Sequence, residues 1–130
     1  MKLMRGDCHS LDILKDDSFD CVVDTLTLHS CHSRELIANE IKRLCKPGGK
    51  IFLLERGQSY ISLYNQWLQF KAAYHLMHSG SVEHLDIEGI VDEHFKGLKM
   101  VHKERKNMGM TYIYIIENTP EDSEERTEND

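Results

Sequence analysis

The hydrophobic pattern of the chain changes period several times, and each change marks an element. Phe19 to Leu26, FDCVVDTL, is a short apolar run with β-branched residues, bounded by KDDS before and HSCHS after. Such a run suits a strand buried on both faces. From Ser33 to about Cys45 the period lengthens. Ile37, Ile41, Leu44 and Cys45 recur at i, i+4, i+7 and i+8, which gives a helix with one apolar face and Ser33 as N-cap. Pro47 cannot continue that helix and disfavours helical geometry at Lys46. Gly48 and Gly49 can adopt positive φ and reverse the chain. Lys50 to Glu55, KIFLLE, is then a second buried-strand run. Strand, helix, turn and strand form a βαβ unit, with parallel strands and a right-handed crossover.

The second half continues the alternation. Leu63, Trp67, Phe70, Tyr74 and Met77 sit at helical spacing and predict one long amphipathic packing helix from about Ser59 to Met77. A shorter helix is predicted from Asp86 as cap to Phe95, with Ile87, Ile90, Val91 and Phe95 inward and Gly97 as its stop. Leu98 to Arg105 and Met110 to Glu117 read as strands joined by KNMGM, a turn carrying Asn107 and Gly109. The predicted class is α/β, with parallel strands closed by an antiparallel hairpin. There is no internal repeat and no linker before the tail.

Composition narrows the function classes. The chain has 130 residues, 40% hydrophobic and 29% charged, a profile for one soluble globular domain. No apolar run approaches the roughly 20 residues of a membrane span, and MKLMRGDCHS lacks a secretory or transit pattern. The net charge of −6 is concentrated at the end, where residues 118–130 carry six acids and one base. This tail is expected to be solvated and disordered, leaving residues 1–117 as the domain. The body is then near neutral and offers no basic excess for nucleic acid. Cys8, Cys21, Cys31 and Cys45 show no CxxC pair and read as reduced thiols of an intracellular protein, cytoplasmic or mitochondrial. His29, Cys31 and His32, with Cys8 and His9, contain metal-ligand types but no established zinc spacing. Their convergence would have to come from separate elements, so no metal is expected.

The ordered series GDCHSL, DDSFDCVVDTLTLHSC and ELIANEIKRLCKPGGKIFLLERG resembles the second half of class I S-adenosylmethionine-dependent methyltransferases, in their methyltransferase type 11 (ubiquinone/menaquinone methyltransferase-like) group. The resemblance runs from Gly6 to about Glu117. It implies the C-terminal part of a Rossmann-like class I methyltransferase sheet and S-adenosylmethionine as cofactor. By the same resemblance Asp7 would accept from the adenine amine and Cys8 would offer its backbone N–H to the ring. Asp24, Thr25 and Leu26 would pass beneath the methionyl and sulfonium end, where open α/β sheets place ligands. His29 and the loop after Glu55, with Arg56 and Gly57, would face the acceptor. The helix bearing Trp67 and Tyr74 corresponds to the family's substrate-covering insert, suited to a small-molecule or lipid-like acceptor. A base is needed only if the acceptor must lose a proton, and His29 and Glu55 are the nearest candidates. Each also reads as a structural residue, as Asp7 does in an Asx-turn.

The departures are as specific as the likeness. Family members open with a strand and a Gly-x-Gly-x-Gly turn for the methionyl portion, followed by an acid for the ribose. No such turn occurs among Gly6, Gly48, Gly49, Gly57, Gly80, Gly89, Gly97 and Gly109. Against the family sheet order 3-2-1-4-5-7-6, the first βαβ unit is missing and Phe19 to Asp24 becomes an exposed edge. Two expectations follow: a truncated methyltransferase domain, inactive alone, or a non-catalytic half-domain that pairs with a protein partner through the strand 19–24 edge. In either case the chain alone is expected to bind S-adenosylmethionine poorly.

Overall fold

The structure, a computed structural model, describes residues 1–28, 31, 33–79 and 85–120. Its elements are β1 (Phe19–Thr25), α1 (Arg34–Leu44), β2 (Cys45–Arg56), α2 (Ser62–Phe70), α3 (Ala72–Ser79), α4 (Ile87–His94), β3 (Leu98–Lys106) and β4 (Thr111–Pro120). The four strands form one sheet in the order β1-β2-β4-β3. β1 runs parallel to β2, while β4 is antiparallel to both β2 and β3. The predicted βαβ unit and terminal hairpin are therefore present. The sheet also has the order expected of the C-terminal part of the methyltransferase scaffold.

One face of the sheet carries the core. Ile51, Leu53 and Glu55 of β2 pair directly with Ile116, Tyr114 and Tyr112 of β4, and all six are buried. The period of two puts them on one face. Ile37, Ala38 and Ile41 of α1 and Ile87, Val91 and Phe95 beside α4 complete the same cluster. Asp86 caps α4 by accepting from the Gly89 amide at 3.1 Å. Ser33 occupies the N-cap position of α1, but its side chain makes no capping bond.

The turn between α1 and the second strand differs from the expectation in an instructive way. Strand pairing begins at Cys45, opposite Phe19, and the next matched pair is Cys21 with Lys50. Residues 46–49 thus loop out of the ladder as a wide bulge. Only Gly48 has positive φ, at 79°. Gly49 has a different requirement: a Cβ there would lie 2.8 Å from the Asp20 carbonyl oxygen and 2.8 Å from Cys45 Sγ.

Three other expectations are corrected. The run FDCVVDTL is not buried on both faces. β1 is a sheet edge, Val23 is 67% exposed, and Asp24 is the buried residue of the strand. The long helix is two helices, interrupted at Lys71, whose φ and ψ are −89° and 1°. Its apolar stripe faces outward: Leu63, Trp67, Phe70, Tyr74 and Met77 are all exposed, with Phe70 at 87%. Leu68 seats α2 instead. Finally, β4 extends to Pro120, beyond the expected domain end at Glu117. Pro120 pairs with Leu98 of β3, and Asn118 Nδ2 donates to the Cys45 carbonyl at 2.9 Å, so these contacts fix the first tail residues. Residues 121–130 lie outside the described residues.

Candidate functional site

The site predicted at the carboxyl ends of β1 and β2 depends on an N-terminal segment that has no regular structure. Arg43 on α1 holds that segment. Its guanidinium donates to the carbonyls of Leu14 (2.9 Å) and Leu11 (3.1 Å), to Asp16 (2.7 Å) and to Glu40 (2.8 Å). Glu40 in turn accepts from the Leu11 amide at 2.8 Å. The Arg43 hydrogen bonds hold the Glu40 carboxyl below the ordinary glutamate range, with the Leu11 amide adding to the shift. Arg43 lies outside the periodic apolar positions of the helix, Ile37, Ile41 and Leu44. Its role rests on three hydrogen bonds to non-periodic chain, at Leu11, Leu14 and Asp16, for which the sequence offers no signal.

This docking brings Asp7 to His9 alongside β1. The Asp7 carboxylate accepts from the His9 amide at 2.9 Å and bonds the His9 ring at 2.7 Å. The amide bond, then the ring, lowers its pKa, so Asp7 is an acceptor at neutral pH. The turn is the Asx geometry that the residue types permit. Cys8 packs inward, and a cavity of about 150 Å³ is lined by Cys8, Leu11, Val23, Asp24, Thr27 and Glu40, among others. The structure therefore brings Cys8 and Asp24 together from separate segments. Thr25 and Leu26 follow at the exposed end of β1.

The chain leaves β1 through a strained step. Leu26 has φ of 57°, a left-handed geometry that costs a non-glycine residue roughly 1–3 kcal/mol. It is secured by the bond from its amide to the Leu54 carbonyl, 2.8 Å. Glu55 fixes the next turn: its Oε1 accepts from the amides of Thr27 (3.2 Å) and Leu28 (3.3 Å), and the residue is wholly buried. The geometry favours the strand-end structural role for Glu55. His29 lies outside the described residues.

Beyond β2, Gly57 fits beneath Leu85, Ile87 and Tyr112. Arg105 locks the same loop: it donates to the Gln58 carbonyl at 3.0 Å and Tyr112 Oη at 2.6 Å, and stacks on the Tyr60 ring at 3.9 Å. Cys31 is near Cys8 and the carboxylates of Asp24 and Glu55. Burial, then these neighbours, pushes its thiol up to about 11. A larger groove, about 390 Å³, opens between α1 and α4 around Ser33, Glu35, Ile90 and His94. It contains none of the residues predicted for the cofactor.

Comparison with known proteins shows what this geometry is similar to. A family profile described as a methyltransferase domain matches residues 1–53, which include the Asp7 segment, β1, α1 and most of β2. The chain is 28% identical over 97 residues to the mitochondrial methyltransferase OMS1 of Saccharomyces cerevisiae, covering 75% of this chain and 20% of that protein. Its fold matches a SAM-dependent methyltransferase structure from Methanosarcina mazei with a TM-score of 0.67 and 20% identity, covering 89% of this chain and 66% of the other. It also matches a Haloferax volcanii complex between a methyltransferase activator and a methyltransferase, with a TM-score of 0.65, 14% identity and coverage of 88% and 59%.

The fold is that of S-adenosylmethionine-dependent methyltransferase structures, and residues 1–53 are similar to a methyltransferase domain. The chain spans about a fifth of the yeast protein and just under two thirds of the Methanosarcina structure.

The residues present fit part of the cofactor. Ligand pockets for molecules of this size enclose about 300–1,000 Å³, whereas the cavity between Cys8 and Asp24 offers about 150 Å³. Among the described residues there is an ionised acceptor at Asp7 and a cradle at Cys8 and Asp24. The chain contains no glycine-rich turn for the methionyl carboxylate.

Proposed function

We propose that this chain supplies the sulfonium- and acceptor-facing part of an S-adenosylmethionine-dependent methyltransferase site, and that alone it holds the cofactor weakly. The observation that carries this reading is the meeting of Cys8 and Asp24 around one cavity between β1, α1 and the N-terminal segment, with Asp24 near the carboxyl end of β1 where open α/β sheets take ligands. When bound, S-adenosylmethionine supplies an electrophilic methyl group. The task of this chain is alignment. Asp7 accepts from the adenine amine, and the Cys8 amide meets the ring. Asp24, Thr25 and Leu26 line the path of the methyl group, and Glu55 holds the loop that contains them. Such positioning, rather than acid–base chemistry, is the main requirement of methyl transfer.

The acceptor in this proposal is lipophilic. The support is the outward stripe on α2 and α3, where Trp67, Phe70 and Tyr74 are exposed and Lys71 lies over the Trp67 ring at 4.5 Å. No acidic residue occurs from Arg56 through Val82, in a chain whose net charge is −6. Burying one large apolar side chain contributes about 1.5–3 kcal/mol, so a ligand covering several gains substantially. Trp67 is the only tryptophan and reports directly on this face. Anilinonaphthalene sulfonate is expected to accept energy from Trp67 saturably in the purified chain, and to do so far less in Phe70→Ser and Leu63→Ser. Absence of transfer, or transfer unchanged by both substitutions, contradicts a lipophilic face there.

A second reading is favoured by the β1 edge: a half-domain that pairs with another chain. Phe19, Cys21 and Val23 are exposed on a strand that has one neighbour, β2, among the described residues. Unpaired edges of this kind recruit strands. Under this reading sedimentation equilibrium detects self-association that Val23→Lys abolishes, with thermal stability changed by under about 0.5 kcal/mol. A monomer at all concentrations removes self-pairing.

A further inference from the structure

The N-terminal turn and the loop after β1 place three metal-ligating side chains together, which neither sequence spacing nor the methyl-transfer reading predicts. One ligand atom each from Cys8, His9 and Cys31 lies within 4.8 Å of the other two. We propose that these residues form a zinc site, with two thiolates and one imidazole nitrogen as protein ligands and water in the fourth position.

Donor chemistry selects the metal. Thiolate and imidazole suit zinc, whereas calcium and magnesium require oxygen ligands. Zinc–sulfur and zinc–nitrogen bonds of about 2.3 Å and 2.0 Å place tetrahedral ligand atoms roughly 3.3–3.8 Å apart. Cys8 Sγ is 4.0 Å from His9 Nδ1, so the set closes with shifts of well under an ångström for that pair. All three residues are half-buried, accessible to an entering ion yet partly shielded from water. Asp7 bonds the same His9 Nδ1 at 2.7 Å, so ligation through that nitrogen replaces this hydrogen bond and leaves the Asp7 carboxylate beside the ion as added negative charge.

Binding is written in balanced form as one zinc ion displacing one proton from each thiol, with the imidazole contributing its lone pair. Both protons leave to solvent, and no oxidant is required. The ion ties the segment carrying Asp7 and Cys8 to the loop carrying Leu26 and Leu28. The site therefore bears on cofactor binding without belonging to the family's chemistry.

Cobalt(II) is the probe, added to the purified chain under a non-thiol reductant. One equivalent should produce a near-ultraviolet thiolate-to-cobalt band and visible bands of tetrahedral intensity, both displaced by zinc. Cys8→Ser and Cys31→Ser should each weaken cobalt binding at least tenfold, and His9→Ala by a similar factor, while Cys21→Ser leaves it unchanged. Zinc should raise the melting temperature of the parent chain and not of the two cysteine variants, with a chelator reversing the rise. The proposal is overturned if no thiolate band forms at stoichiometric cobalt, or if the band survives in the Cys8→Ser/Cys31→Ser double variant. Cys8 and Cys31 both pack against the core, so circular dichroism of each variant is recorded to separate lost ligation from lost fold.

Discussion

Gly57→Ala is expected to destabilise the protein by about 3 kcal/mol, the range seen when a close-packed position is overfilled. The new methyl group would lie 2.5 Å from the Leu85 carbonyl oxygen, 2.6 Å from Ile87 Cγ1 and 3.1 Å from the Tyr112 ring. None of these neighbours yields easily. The Leu85 oxygen already accepts from the amides of Gln58 (2.9 Å) and Ile87 (3.1 Å), so moving it breaks the chain's entry into α4. Ile87 and Tyr112 are fully buried. On the other side, the Gly57 amide donates to Met110 at 2.9 Å, and the Gln58 carbonyl accepts from Tyr112 Oη at 2.8 Å and from Arg105. The glycine is required for space, and the loop following β2 has no direction in which to relax. Urea denaturation measures the effect; a loss below about 1 kcal/mol would show that the loop adapts.

Glu55→Ala should cost a similar amount, about 3 kcal/mol, for a different reason. The substitution leaves the half-buried amide of Thr27 and the buried amide of Leu28 without the acceptor they share, at roughly 1–3 kcal/mol for a group stranded away from water. Glu55→Gln retains an oxygen at the same place and should lose about half as much. The ordering, rather than either value, identifies the cause: a cavity effect alone would spare glutamine almost entirely. A local consequence accompanies the global one. The loop that begins with Leu26 at positive φ is held by the Leu54 carbonyl and by Glu55, so its amides should lose hydrogen-exchange protection before those of β2. Equal stability of all three proteins would remove Glu55 from its positioning role.

The parts of this architecture that were legible in the sequence are those written in periodicity. FDCVVDTL, KIFLLE and the terminal hairpin gave their strands, and Ile37, Ile41 and Leu44 gave the buried face of α1. Asp86 and its capped helix were equally plain. Periodicity reports a preference for burial, however, and not whether a partner surface exists. The stripe from Leu63 to Met77 has helical spacing and is nevertheless exposed, because no described element packs on that face. The same gap explains β1, whose apolar run suits a central strand but sits at an edge. Residues acting through non-periodic chain left no pattern at all. Arg43 reaching Leu11, Leu14 and Asp16, and Arg105 between Tyr60 and Tyr112, are visible only in three dimensions. The resemblance set Gly57 in the acceptor-facing loop and gave no sign of its packing role, since a glycine required for close approach looks like any other in one dimension.

For the site, resemblance named residues and geometry determined which of them meet. Cys8 and Asp24 share a cavity, and Asp7 holds its own turn at the rim. Glu55 supports the site from below. Cys31, read from the sequence as an ordinary loop cysteine, proves to be a neighbour of Cys8 and His9. That neighbourhood arises because Arg43 folds the N-terminal segment back over α1, a tertiary cause with no local signature.

The central claim is that the chain provides a real but partial cofactor site at the ends of β1 and the Asp7 turn. Titrating the isotope-labelled protein with S-adenosylmethionine while recording amide chemical shifts tests location and affinity together. The account predicts shifts confined to Asp7, Cys8 and residues 24–28, saturating only at millimolar cofactor. Saturation at micromolar cofactor would contradict the partial pocket, and shifts that are absent or centred on the α1–α4 groove would contradict the site itself.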